Sequence, residues 1–165
     1  YCRDFFWRLG IDPTKVRPAS EALVRRILQG GSIPTINTAV DAINLSSIQT
    51  EIVVDAFDTA MISGETEIRF ASQGEKFLGI GMKEELSMSG EEIVISDALG
   101  PIAIYPHRDA KRTGVTRQTE EILTVMCGVP GIEGRELLAA ARAVSDNLNK
   151  YCGGREGSQI ILLPG

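Results

Sequence analysis

Pro34–Asp58, PTINTAVDAINLSSIQTEIVVDAFD, is the stretch from which the fold is read. A turn, an amphipathic helix, a linker, a buried strand and an acidic strand end follow one another. Ile36, Val40 and Ile43 fall at helical spacing and predict one apolar face, while Asn37, Asp41 and Asn44 look elsewhere. Asn and Asp compete with the backbone for hydrogen bonds and are poor inside a helix, so these residues need a cap, a pocket or a tertiary partner. Ile52, Val53 and Val54 then run into Asp55-Ala56-Phe57-Asp58, setting two carboxylates around an aromatic where a buried strand leaves its sheet.

Towards the N-terminus, Gly30-Gly31 stops a preceding helix that Ser20 is expected to cap and Leu23, Ile27 and Leu28 to bury. Pro13 and Pro18 bracket an extended Asp12–Arg17. Tyr1–Trp7 reads as mid-helix and, with no initiating Met, as a chain lacking native N-terminal residues. Towards the C-terminus, the pattern predicts strands at Glu67–Phe70, Lys76–Ile80 and Glu91–Ser96. A turn at Asp97–Pro101 leads into a second hairpin strand, Ile102–Tyr105. Gly79-Ile80-Gly81 lacks the third glycine and the Lys-Ser/Thr of a phosphate loop, and is read as strand glycine. Glu120–Cys127 is a further strand. Arg135–Tyr151 is the clearest helix, with a seam at Leu137, Ala141, Val144, Leu148 and Tyr151, and Gln159–Leu163 is a short terminal strand.

A length of 165 residues suits a single domain spanning 1–165. With no membrane-length apolar run and no secretory signal, the expected location is the cytoplasm, away from membranes. Three separated cysteines (Cys2, Cys127, Cys152) argue against disulfides and zinc, and a single histidine, His107, leaves little for a histidine triad. No metal or cofactor is expected. A net charge of −5 argues against broad nucleic-acid binding, and no DNA partner is expected. His107–Arg117 is nonetheless a basic window. Arg108, Lys111, Arg112 and Arg117 sit on what should be a loop able to grip phosphates, or one carrying only solubilising charge.

The central stretch resembles the editing (B3/B4) module of the phenylalanyl-tRNA synthetase β subunit, whose pattern runs R-x-L, P-x-N, V-D-x-x-N and L-H-A-F-D. The matching residues are Arg26-Ile27-Leu28, Pro34, Asn37, Val40-Asp41, Asn44 and Val54–Asp58, with no gap from Val40 to Asp58. Gly64, Ile68-Arg69, Gly74-Glu75, Ile93–Asp97, Thr113–Thr116 and Thr119 continue it more weakly. The resemblance implies an α+β fold, a three-layer domain with an unusual β-sandwich flanked by helices. The order of helices early and late with strands between is compatible with that.

It also implies a free-standing hydrolase that binds tRNA at its aminoacylated 3′ end and cleaves the ester of a misacylated tRNA. The alternatives are a non-catalytic tRNA- or RNA-binding module and a protein-interaction domain. By the resemblance, Asn37 would hold the ester or ribose, Thr113 and Thr116 would line the opening, and Ala103 and Tyr105 would form the pocket wall. Arg26 has a family match among the candidate RNA-binding cations. Asp55 stands where the family has histidine and Val125 where it has glutamate. An ionised carboxylate accepts from an ammonium but cannot donate, and a drier wall leaves a tyrosine hydroxyl without a partner. The plainer reading of Asp55 and Asp58 is a strand-end acid pair satisfied by backbone amides.

Overall fold

The structure, a computed structural model, describes residues 1–157 and 160–163. The fold is α+β, and the chain divides into two compact units, Tyr1–Val54 with Met126–Gly165, and Asp55–Val125.

The first unit is helical: α1 is Cys2–Arg8, α2 Ala19–Leu28, α3 Thr38–Thr50 and α4 Gly134–Cys152. The Asn37 side chain caps α3 by accepting the Val40 N–H at 2.9 Å, and Asp41 accepts the Ile36 N–H at 2.9 Å. Two of the three unfavourable polar residues are therefore spent on the helix start. The buried face of α3 is not the expected apolar stripe. It consists of Ala42, Ile43, Ser46 and Ser47, while Ile36 precedes the helix and is 55% exposed. Small side chains let α3 lie close to α4. Ser46 Oγ donates to the carbonyls of Ala42 and Ala143, and Asn147 Nδ2 donates to Ser46 Oγ and Gln49 Oε1.

A Glu133–Glu136 capping box opens α4 and Gly153, at φ 68°, closes it. Its seam runs through Ala140 and Val144, whereas Tyr151 is 48% exposed on the last turn. Three expectations near the N-terminus are corrected. Asp12–Arg17 is folded into a turn by Asp12, whose Oδ1 accepts from the backbone and hydroxyl of Thr14. Pro18, with its preset φ, occupies the cap position of α2, leaving Ser20 buried in the first turn. Leu28 is 81% exposed because the final turn of α2 projects from the packed side. Residues 160–163 form no strand, and Gln159 lies outside the described residues.

The second unit is a small β-sandwich. Its main sheet has the order β2-β5-β6-β7, all antiparallel, from β2 (Glu67–Phe70), β5 (Ile93–Asp97), β6 (Gly100–Ile104) and β7 (Arg108–Asp109). The β5–β6 hairpin is where the sequence put it, but its second strand starts earlier, at Gly100. β1 (Val54–Asp58) pairs with β8 (Ile122–Met126), and β3 (Lys76–Phe77) with β4 (Leu86–Ser87). One core cluster joins the two layers, with Phe57 of β1 and Leu123 and Val125 of β8 packed on Ile95, Ile102 and Ala103 of the main sheet. A second cluster, Ala71, Phe77, Met88, Val94, Ile104 and Ala110, fills the other side. Gly79 is an isolated bridge to Ala110, where a Cβ would collide with the Arg108 side chain. Among the described residues, no helix is long and apolar enough to cross a membrane.

Phe57→Ala is expected to cost about 3–5 kcal/mol in urea unfolding, because it opens a cavity between the layers. Ile68→Ala, on the exposed face of β2, should stay within roughly 0.5 kcal/mol.

Candidate functional site

The chemistry-bearing residues of the second unit gather on β1, β7 and the segment Lys111–Thr119. Alternation along β1 turns Asp55 and Phe57 to its buried side, and Asp55 is only 4% exposed. The neighbour of Asp55 is Asp109 on β7, an acid that the sequence reading passed over within its basic window. Asp109 Oδ2 accepts the Ala56 N–H at 3.2 Å, which brings its carboxyl beside Asp55. Burial, and then the Asp55 charge, push the Asp109 carboxyl well above the usual carboxylate range.

Asp58 is satisfied locally. Its Oδ1 accepts the Ala60 N–H at 3.0 Å and its Oδ2 the Thr119 hydroxyl at 2.6 Å. One donor is therefore backbone, as the plainer reading held, and the other is a side chain brought round by the chain. Thr116 is exposed and shapes that turn, its N–H donating to Thr119 Oγ1 and its hydroxyl accepting from Gln118 N–H. Thr113 is 0% exposed. Its carbonyl accepts the Asp58 N–H at 2.9 Å, and its hydroxyl has no partner among the described residues, so it faces the interior rather than an opening. Ala103 is buried opposite Asp109 in the β6–β7 register, and half-buried Tyr105 and Val125 pack on the same cluster. Asn37 belongs to the first unit, where its side-chain oxygen caps α3.

The basic window is not a simple loop. Arg108 lies in β7 and donates to the Ile80 carbonyl at 3.0 Å. Arg112 makes a two-pronged ion pair with Asp97, at 2.8 and 2.9 Å, and also donates to the Met61 carbonyl. A carboxylate as buried as Asp97 must be paired, and this takes Arg112 away from phosphate binding. Lys111 and Arg117 are exposed and make no ion pair among the described residues. Arg26, in the first unit, donates to the Ser32 carbonyl at 2.6 Å. His107, expected in an exposed loop, is half-buried, and burial followed by the Arg108 charge lowers its pKa. Among the described residues, no group of three or more His, Cys, Asp or Glu is placed to hold a metal.

Residues 1–153 match the family model of the B3/4 domain. The phenylalanine–tRNA ligase β subunit of Nocardia farcinica is 33% identical over 114 residues, which cover 69% of this chain and 13% of that protein. That of Symbiobacterium thermophilum is 29% identical over 148 residues, covering 89% of this chain and 16% of the relative. This chain thus spans a small part of these relatives' length. In fold, it is similar to the crystal structure of an N-terminal fragment of the phenylalanyl-tRNA synthetase β subunit from Pyrococcus horikoshii. The TM-score is 0.54 at 19% identity, over 72% of this chain and 39% of that one.

The Asp97–Arg112 pair sets an acid limit on stability. Burial raises the Asp97 pKa, but the Arg112 hydrogen bonds and the N–H groups of Ser63 and Leu99 outweigh it and hold the carboxyl below its usual value. A depressed folded-state pKa contributes stability above the unfolded value of about 3.9, and that stability is lost as pH falls through the folded value. Arg112→Ala should cost about 3 kcal/mol at pH 7 and flatten the loss of stability below about pH 4, measured as urea midpoints.

Proposed function

The chain belongs to the B3/4 domain family, and from that premise we propose that it binds tRNA and hydrolyses the ester of a misacylated aminoacyl-tRNA. The whole of residues 1–165 works as one such domain, in the cytoplasm. The observation that carries this reading is the family match over residues 1–153, together with a buried, chemically perturbed carboxyl pair at Asp55 within the best-matching stretch.

An aminoacyl ester is already activated, so hydrolysis needs a positioned water and donors for the developing oxyanion more than a strong base. In this reading Asp55 takes the substrate's ammonium group, Ala103, Tyr105 and Val125 form an apolar wall, and Thr116 contributes a hydroxyl. With Val125 on that wall, a tyrosyl hydroxyl has no partner, and the preferred amino acid is smaller or less polar. Lys111 and Arg117, helped by Arg108, take RNA phosphates on the second unit, and Arg26 is the candidate phosphate contact of the first. A non-catalytic tRNA-binding module is the second reading. It is favoured by the buried Thr113 hydroxyl and by the Asn37 oxygen already spent on a helix cap.

Purified protein assayed against a panel of aminoacylated tRNAs should deacylate at least one that does not carry tyrosine. Asp55→Ala should lower kcat/KM about ten- to a hundred-fold, since a hydrogen bond to a charged group is worth roughly 1.5–3 kcal/mol, whereas His107→Ala should cost much less. Asn37→Asp keeps the cap, so a fall in turnover there would mark a role for the amide beyond capping. Binding of aminoacylated tRNA without deacylation of any member of the panel would leave the non-catalytic module.

Binding itself should weaken steeply with salt. Lys111→Glu with Arg117→Glu should lower tRNA affinity and flatten that dependence without unfolding the protein. Unchanged affinity would make this segment ordinary surface.

A further inference from the structure

Asp109 has no counterpart in the chemistry set out above. Its side chain lies on the face of β7 shared with Ala103, its partner across the sheet, and reaches β1, where Oδ2 accepts the Ala56 N–H at 3.2 Å. The other oxygen, Oδ1, is buried and meets no donor among the described residues. What the carboxyl does meet, beside the Ala56 N–H, is the buried side chain of Asp55. A hydrogen bond between two carboxyls needs a proton on one of them. Two ionised carboxylates side by side out of water would instead repel.

We propose that Asp55 and Asp109 share one proton at neutral pH, and that Asp109 is the positioning residue that lets Asp55 both donate and accept a hydrogen bond.

The surrounding charges leave that proton in place. On β1, both oxygens of Asp58 are taken by Ala60 and Thr119. On β7, Arg108 donates to the Ile80 carbonyl, and just beyond it Arg112 is held by Asp97 of β5. Lys111 is exposed, as is Lys76 on β3, while β6 and β8 carry no charged residue. His107 has its pKa lowered and is neutral near pH 7.

The inference rests on the function proposed above and deepens it. A lone ionised aspartate in place of the family's histidine could not donate a hydrogen bond. A pair holding one proton carries one negative charge for an α-ammonium group, and when a substrate takes the place of the carboxyl–carboxyl contact the same proton can be donated to an ester oxygen. The ligand class is thus an α-amino acid ester, recognised at both ends of the Cα–carbonyl unit.

The test is the pH dependence of the aspartate carboxyl ¹³C shifts in the whole chain, compared with Asp109→Asn and Asp55→Asn. One carboxyl of the unaltered protein should keep its proton at pH 7; this step should vanish in Asp109→Asn and move to lower pH in Asp55→Asn, where burial alone remains. All aspartates titrating in the usual carboxylate range, a high step that survives Asp109→Asn, or one that does not move in Asp55→Asn would overturn the proposal.

If either variant fails to fold, thermal midpoints of the unaltered protein decide. A carboxyl that keeps its proton only when folded makes stability fall as pH rises from about 3.9 towards the folded-state value. A midpoint that stays level across that range would overturn the pair.

Where an ester is cleaved, kcat/KM should decline as the shared proton leaves, and Asp109→Asn, whose amide supplies a fixed donor, should remove that decline. A high titration step without deacylation sinks the hydrolase and leaves the pair. Deacylation without the step sinks the pair and leaves the hydrolase.

Discussion

Asp97 lies buried at the end of β5, and the second unit is arranged to neutralise it. Its two oxygens take the fork of Arg112 and the N–H groups of Ser63 and Leu99. A planar guanidinium matches a carboxylate in a way that an ammonium does not, so the pair fixes direction as well as distance. Three remote pieces of chain are tied together in this way: the segment after β1, the β5–β6 turn, and the stretch after β7. With Arg112 held, Thr113 and Gly114 fall against β1, where the Thr113 carbonyl receives the Asp58 N–H and Gly114 bridges Phe57. That contact lays β1 over the main sheet, with Phe57 in the core and Asp55 beside Asp109.

The acids of this unit show three answers to one physical problem. Asp97 is answered by a guanidinium, Asp58 by a backbone amide and a threonine hydroxyl, and Asp55 by another carboxyl. Only in the last does one carboxyl shift the charge state of another. The same accounting thins the basic window. Arg112 is held by Asp97 and Arg108 by a carbonyl, which leaves Lys111 and Arg117 as the exposed cations of this window that make no ion pair among the described residues. With a net charge of −5, the chain as a whole offers little field to attract a polyanion.

In the first unit the governing constraint is closeness. A face of Ala42, Ser46 and Ser47 on α3 offers little apolar area, but it allows Ser46 to bond the Ala143 carbonyl and Asn147 to bond Ser46. Polar groups buried with partners cost little, and they specify one register for the two helices. Hydrophobic periodicity cannot see such a face, so Ile36 and Val40 were expected where small residues do the packing.

Local chemistry determined a good deal from the sequence alone. The α3 and α4 helices, the strand ending in Asp55–Asp58, the β5–β6 hairpin and the strand through Val125 each carry their own period, cap or turn residues, and each formed within a few residues of its expected place. The family resemblance, carried by the same stretch, gave the α+β class. What only tertiary structure decided is how charge is shared. Nothing local links Asp97 to Arg112, or Asp55 to Asp109, 54 positions apart as numbered. In the sequence Asp97 reads as a turn residue, and Asp109 carries no signal within its basic window. The state of a buried carboxyl depends on which groups reach it when water leaves, and the folded chain alone sets that.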